Sequence, residues 1–298
     1  MSFFEYGTQQ LINALSIGSL YALMAIGLAM VFGILRLINF AHGDLMMVAS
    51  YTALFLLIGG SPFLGAAIAA VVIAAIAGLA MERVAYRPIR GAPDVAMLLT
   101  SFAVTIILEN AAVLTVGARS RAFPAPPFLS TVFTLGNLTV SSVNVVAIIT
   151  TAILLVLLTL FVRRTDTGIS MRAAAEDLVA AQLMGININR VIAYAFAIGS
   201  GLAGVAGLLW AAKVGKVDPF MGFSPVLKAF IAAVIGGFGT IPGAVVGGYV
   251  LGFLEIFLQA TLPGQSSAYR DAFVFGILIL VLLIRPNGIL GVQEREEI

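Results

Sequence analysis

The sequence has no cysteine and a single histidine, His42. The first absence removes disulfides, thiolate nucleophiles and cysteine metal sites. The second removes any histidine cluster or H-E-x-x-H zinc helix, so no metal site is expected. Charge is scarce too. Only 10% of the 298 residues are charged, 16 basic and 14 acidic, against about 25% in a soluble domain. So few charges cannot cover a soluble fold of this length, which excludes a soluble enzyme, a nucleic-acid-binding protein and a disordered tail. The net charge of +2 comes mostly from Arg residues between apolar runs. There they orient a membrane protein and call for no nucleic-acid partner.

Apolar residues fill the chain instead, at 61%, with a mean hydropathy of +1.10. The runs are Leu11–Leu35, Leu45–Gly59, Phe63–Met81, Val95–Val116, Val143–Val162, Val191–Ala211, Val226–Phe238, Ile241–Leu262 and Ala272–Ile284. A bilayer core takes about 20 helical residues, and lipid admits only helices or closed barrels. No alternating strand pattern competes. The expected fold is an all-α integral membrane protein, a polytopic bundle of about 8–9 transmembrane helices in one domain over residues 1–298. The opening stretch to Gln10 carries one charge, Glu5, and no basic segment. The run after it outlasts a signal-peptide core, so a retained transmembrane helix is expected there.

Two runs are short. Val226–Phe238 and Ala272–Ile284 reach only about 20 Å each at 1.5 Å per residue. The stretch from Val226 to Leu262 would reach about 55 Å, and the string GGFGTIPG from Gly236 to Gly243 interrupts it. A half-helix, an unwound turn and a full helix are expected, giving one broken or re-entrant segment with Gly237, Gly239 and Pro242 at its break. Placing the loops at Arg83–Arg90 and Arg163–Arg190 inside puts ten basic residues inside, Arg285 and Arg295 among them, and six outside, Lys213 and Lys228 among them. This bias sets the N-terminus outside and, with nine crossings, the C-terminus inside; if Val226–Phe238 is re-entrant instead, the C-terminus lies outside and the count becomes nine against seven.

Polar groups within apolar runs are costly and need a reason. Glu109-Asn110 lies in the fourth run, and Glu255 and Gln259 share a face of the eighth. Each carboxylate either lines a polar path or ties helices together. Asn13 belongs near an interface. Asn39 to Asp44, with His42 beside Asp44, reads as a short polar turn in which His42 is a pH-responsive group or a helix cap. Small residues recur every four positions at Ala25, Ala29, Gly33; at Gly199, Ala203, Gly207, Ala211; at Gly243, Gly247; and at Gly248, Gly252. That spacing lets helix backbones approach closely, either for packing or for sliding. The inside segment Arg163–Arg190 is rich in helix formers from Arg172 to Met184. Ser170 or Thr167 is expected to cap a helix there and Gly185 to end it. This helix either docks a cytosolic partner or merely closes a loop.

Catalytic patterns are missing. The aspartates lie in loops or at run ends, no G-x-S-x-G elbow occurs, and no G-x-x-x-x-G-K-[ST] phosphate loop occurs. If ATP drives this chain, another subunit binds it.

Several strings resemble one known family in order along the chain. GILRLINFAHGDLMM at Gly33–Met47, Lys228-Ala-Phe with GGFGTIPGAVVGG at Gly236–Gly248, and RPNGILG at Arg285–Gly291 are similar to signatures of branched-chain amino acid ABC transporter permeases, the H-type subunit. TGISMRA from Thr167 and AQLMGIN from Ala181 resemble their cytosolic coupling segment. The resemblance implies a permease subunit of an ATP-driven importer in a bacterial or archaeal cytoplasmic (inner) membrane, forming half of a path for branched-chain or related amino acids. It implies a second homologous permease, two cytosolic P-loop ATPase subunits that bind ATP and Mg, and an extracytoplasmic substrate-binding protein. The outer loops Arg119–Thr139 and Lys213–Ser224 would meet that binding protein. Within a cytosolic coupling loop at 165–190, Ala175, Glu176, Asp177, Ala181 and Gly185 would meet the ATPase. Asn39, His42, Glu109, Glu255 and the Gly237, Gly239, Pro242 break would line the path. The rival reading is a stand-alone, proton-coupled secondary transporter of small organic solutes, using Glu109 or Glu255.

Overall fold

The computed structural model describes residues 3–237, 239–263, 269–285 and 288–290. Phe238 of the break, Arg295 of the charge count, and Pro286, Asn287 and Gly291 of the last string lie outside the described residues. In chain order the helices are α1 (Phe3–Leu35), α2 (His42–Ile58), α3 (Phe63–Met81), α4 (Asp94–Val116), α5 (Pro127–Ser130), α6 (Ser142–Arg164), α7 (Asp166–Glu176), α8 (Leu178–Leu183), α9 (Ile188–Val214), α10 (Phe223–Gly236), α11 (Ile241–Thr261) and α12 (Arg270–Ile284). A π-helical turn, Glu82–Tyr86, and a 3-10 turn, Arg87–Ile89, prolong α3. Six helices among the described residues, α1, α3, α4, α6, α9 and α11, are long and apolar enough to cross a membrane, and α2 and α10 are shorter apolar helices.

Every expected run carries a helix. The first begins eight residues before Leu11, at Phe3, because its polar first turns find partners. Gln9 donates to the Thr139 carbonyl at 2.8 Å and accepts from the Thr139 N–H at 2.9 Å. Among the described residues, strands occur only as small pairs in the loops. β1 (Arg121–Ala122) pairs antiparallel with β4 (Lys216–Val217), and β2 (Val132–Leu135) with β3 (Leu138–Ser141).

The bundle has an axis and a perimeter. The α1 span is 83% buried and the α9 span 72%, whereas those of α3, α4 and α6 are 17–22% buried. The perimeter helices expose Ile68, Val72, Ile76, Leu99, Ile106, Ile149 and Val156, side chains that suit contact with lipid. Two glycine stripes on α11 serve two neighbours. A Cβ on Gly247 would overlap the Ala232 carbonyl of α10, and one on Gly248 would come within 2.6 Å of the Ala22 Cα of α1. These stripes thus set α11 backbone-close to both helices. On α9, Gly199 lies against Gly27 of α1 and Gly207 against Met46 of α2.

The expected break is present. α10 ends at Gly237 (φ 118°), Gly239 has φ 82°, and the Thr240 hydroxyl caps α11 by accepting from the Gly243 N–H at 3.1 Å. Positive φ at both positions favours glycine. Gly236 lies beside Gly243 and Ala232 beside Gly247, so α10 and α11 form an antiparallel hairpin.

The turn between the first two runs was expected, but not its return into the bundle. α1 stops at Leu35, where Arg36 takes φ 55°, and the chain turns back on itself. The His42 ring at the start of α2 then lies against Gly27, eight residues up α1 and about 12 Å above its end. Gly43 also packs on Gly222, just before α10. Both α2 and α10 therefore begin at mid-depth. α10 runs toward the end that holds Leu35 and Gly239. α2 runs toward the end that holds β1 and β4, where Phe55 lies under the Arg121 guanidinium at 5.7 Å.

Candidate functional site

At the strand end, the two loops singled out in the sequence meet. The β1–β4 pairing sets Arg121 opposite Val217 and Ala122 opposite Lys216. The β2–β3 hairpin is tied to the start of α1, with Asn137 donating to Glu5 at 3.1 Å. Just below, the Lys213 ammonium donates to Ser16 at 2.9 Å and to Asn144 at 2.8 Å, linking α9, α1 and α6 through neutral oxygens.

At mid-depth lies a buried polar patch. The Asn39 amide oxygen accepts from the Tyr86 hydroxyl at 2.7 Å, which fixes the returning segment against the π-helical turn. His42 and Asp44 are each 1% exposed. The first turn of α2, read from the sequence as part of a short polar turn, is therefore core; Gly43 makes that depth accessible, because a side chain there would overlap Gly222. Asp44 faces the Thr105 hydroxyl of α4, and Asn39 Nδ2 and His42 Nε2 are buried without a hydrogen-bond partner among the described residues. Such atoms gather where hydrogen bonds are made to something besides the fold.

Nearer the strand end, Glu255 anchors an ion cluster. Its Oε1 lies 2.7 Å from Lys228 and 3.1 Å from Arg270, and its Oε2 accepts from the Tyr21 hydroxyl at 2.5 Å. Asp271 completes the set at 3.3 Å from Lys228. Four helices, α1, α10, α11 and α12, are joined at one carboxylate. Lys228, assigned to the outside by the charge count, is instead a helix residue only 8% exposed. Its position within the run Val226–Phe238 was the available signal. Gln259, one turn from Glu255, accepts from the same Arg270 at 3.3 Å, so the shared face is real. Glu109, half-exposed on α4 one turn beyond Thr105, makes no hydrogen bond or ion pair among the described residues, but its carboxylate lies close enough to that of Asp44 to repel it.

The segment expected as one helix from Arg172 to Met184 is two. Asp177 leaves the helical conformation (φ −150°), and its carboxylate caps α8 by accepting from the Val179 and Ala180 N–H groups at 2.8 and 2.9 Å. Aspartate makes this bend because its short side chain competes for backbone N–H groups. Thr165, not Ser170 or Thr167, caps α7, accepting from the Gly168 N–H at 3.0 Å. Gly185 ends α8 at φ 85°, with the Ile186 N–H returning to the Ala181 carbonyl at 3.1 Å, in a left-handed C-terminal cap. On this bent segment Ala181 is buried, while Glu176, Asp177 and Gly185 are exposed and Ala175 is half-buried.

A cavity of 630 Å³ lies between this segment and the α10–α11 break, lined by Ala175 and Glu176 on one side and Gly239, Thr240 and Pro242 on the other. Gly33 completes the junction, its Cα in close approach to the Gly239 backbone. A family model described as the permease component of the branched-chain amino acid transport system matches residues 10–282. The chain belongs to this permease family. The high-affinity branched-chain amino acid transport system permease protein LivH of Escherichia coli (strain K12) is 40% identical to it over 99% of each chain. The corresponding protein BraD of Pseudomonas aeruginosa is 40% identical over 97% of each. A probable branched-chain amino acid transport permease, LivH of Methanocaldococcus jannaschii, is 31% identical over 95% of this chain and 92% of its own.

In this permease the residues expected from sequence are spread over separate places, with Asp177, Ala181 and Gly185 on the bent α7–α8 segment. Ala175, Glu176, Gly239 and Pro242 share the cavity. Gly237 forms the break beside them. Asn39 and His42 share the mid-depth patch, Glu109 borders it beside Asp44 and Thr105, and Glu255 holds the ion cluster.

Proposed function

We propose that this permease is one membrane subunit of an ATP-driven importer for branched-chain or related amino acids, and that it forms half of the translocation path. The observation that supports this reading is the cavity, which lies between the exposed α7–α8 segment and the glycine break of the α10–α11 hairpin. The matching family is a transport permease family, not an enzyme family. The permeases LivH and BraD bear the names of high-affinity branched-chain amino acid systems. On this reading the chain is a single permease domain over 1–298 with nine crossings, α1, α2, α3, α4, α6, α9, α10, α11 and α12, the N-terminus outside and the C-terminus inside. It sits in a bacterial or archaeal cytoplasmic membrane. A second homologous permease completes the path, and two cytosolic P-loop ATPases bind ATP and Mg. An extracytoplasmic binding protein delivers substrate to the joined loops at β1–β4.

The mechanism follows from the bend at Asp177. An ATPase groove would take α8 and the Gly185 turn, and closure of the ATPases would push α7 toward Gly239 and Pro242. The 237–240 turn has two positive-φ glycines, so it absorbs displacement at little cost. α10 would then shift on the glycine faces of α11, opening and closing the mid-depth patch at Asn39 and His42 to a passing solute. Glu255 is already held by two cations and a hydroxyl, which favours a structural hub over a proton carrier.

The test is substitution at the proposed docking segment. Gly185→Pro, or Ala181→Glu, should abolish ATP-linked uptake while the protein still inserts and assembles with the other permease. Uptake that survives both changes refutes the coupling role.

A further inference from the structure

The same cavity has chemistry that coupling alone leaves unused. Its floor is apolar and buried: Met30 and Ile34 of α1 and Met171 of α7 are each 5% exposed. On its rim are three exposed charged side chains, Arg163, Arg172 and Glu176. None of the three has a hydrogen-bond or ion-pair partner among the described residues, although Arg172 and Glu176 lie one helical turn apart, where such pairs form readily. The capped start of α11 opens onto the same space at Thr240, and it adds the positive end of a 21-residue helix to the two guanidinium groups. The volume of 630 Å³ falls within the range of small-ligand sites, about 300–1,000 Å³.

This set of groups matches one ligand class. Two guanidinium groups and a helix N-terminus suit a carboxylate. A lone carboxylate at Glu176 suits an ammonium. An apolar floor between them suits an unbranched or branched hydrocarbon side chain. We propose that the cavity binds an aliphatic α-amino acid from the α7 face, so that accumulated product wedges α7 away from the 239–242 turn and slows further import. The inference rests on the amino-acid reading above and adds a regulatory site to it. A ligand there occupies the space through which α7 must move, so binding and the power stroke exclude each other.

The absence of cysteine makes the test direct. Ile169 lines the cavity and is 48% exposed. In the assembled importer, reconstituted in nanodiscs without binding protein, the single-cysteine variant Ile169→Cys is labelled with a maleimide in the presence of L-leucine or glycine. L-Leucine should slow labelling saturably, and glycine at the same concentration should not. Adding Arg172→Gln should raise the half-protecting concentration about tenfold, the equivalent of one charge-assisted contact. In vesicles, L-leucine loaded on the α7 side should lower the initial rate of ATP-linked uptake. Labelling that ignores L-leucine up to about 10 mM, weaker than any useful affinity, overturns the site if leucine uptake is intact. Equal protection by glycine also overturns it, because the apolar floor then contributes nothing. Failure of the unsubstituted importer to take up leucine at all overturns the amino-acid reading instead, so the two failures are distinguishable.

Discussion

Replacing Glu255 with leucine removes the one carboxylate that holds four helices. Lys228 loses its 2.7 Å partner, Arg270 its 3.1 Å partner and Tyr21 its 2.5 Å acceptor. Lys228 keeps the half-exposed Asp271, at 3.3 Å, and the face of the Tyr21 ring, at 5.9 Å. Breaking a buried pair by removing one partner costs about 3–5 kcal/mol. The surviving contact to Asp271 puts the expected loss at the low end, about 3 kcal/mol. The paired change Lys228→Met with Glu255→Leu replaces both charges with apolar groups of similar size, which is close to neutral for many buried pairs. It should recover about 2 kcal/mol, falling short by the Tyr21 hydroxyl left without its acceptor, about 1 kcal/mol. Unfolding of purified protein in mixed micelles by SDS titration, arranged as a double-mutant cycle, reads these differences. The reasoning fails if the two single changes simply add in the double. It also fails if Glu255→Leu leaves stability unchanged but abolishes transport, since the carboxylate would then serve the path and not the scaffold.

Three further outcomes are expected. Gly248→Leu should prevent close packing of α11 on α1, where even a Cβ would reach within 2.6 Å of the Ala22 Cα, and should leave little monodisperse protein after size-exclusion chromatography. Asp177→Ala removes both acceptor contacts that start α8, at a cost of about 1 kcal/mol for a lost N-cap; amide hydrogen exchange should rise at Val179 and Ala180 and stay unchanged in α9. Tyr86→Phe leaves the Asn39 amide oxygen without its 2.7 Å donor, at about 1–3 kcal/mol; hydrogen exchange should rise over residues 36–44 if that segment is held as described, and no change there refutes it.

Much of the architecture was legible because lipid leaves so few options. Apolar runs of about 20 residues can only be helices, and every run found a helix. The break at Gly237–Thr240 was legible because glycine and proline mark it and the run on either side is too long for one crossing and too short for two. The glycine stripes of α11 were legible as close-packing faces, but spacing does not say which neighbour each face meets. The re-entry at residues 36–41 was hidden because Arg36 is a non-glycine residue at φ 55°, and no local signal marks such a residue. His42 and Asp44 read only as part of a short polar turn for the same reason. Their burial depends on Gly43 meeting Gly222, a contact about 180 residues distant along the chain. Lys228 was misplaced because a charge count treats every basic residue as a loop residue, and a buried ion pair breaks that premise. The bend at Asp177 was missed because helix propensity summed over Arg172–Met184 favours one helix, while a single capping carboxylate decides for two.

The central claim, that this permease works only as part of an ATP-driven complex, is tested most directly by affinity purification of the tagged chain from its native membranes. Companions are identified by mass spectrometry, and ATP hydrolysis and uptake are then measured on the reconstituted material. A P-loop ATPase and a second homologous permease should co-purify, and uptake should require ATP and the binding protein. A chain that emerges alone, and transports when reconstituted alone without ATP, would contradict it.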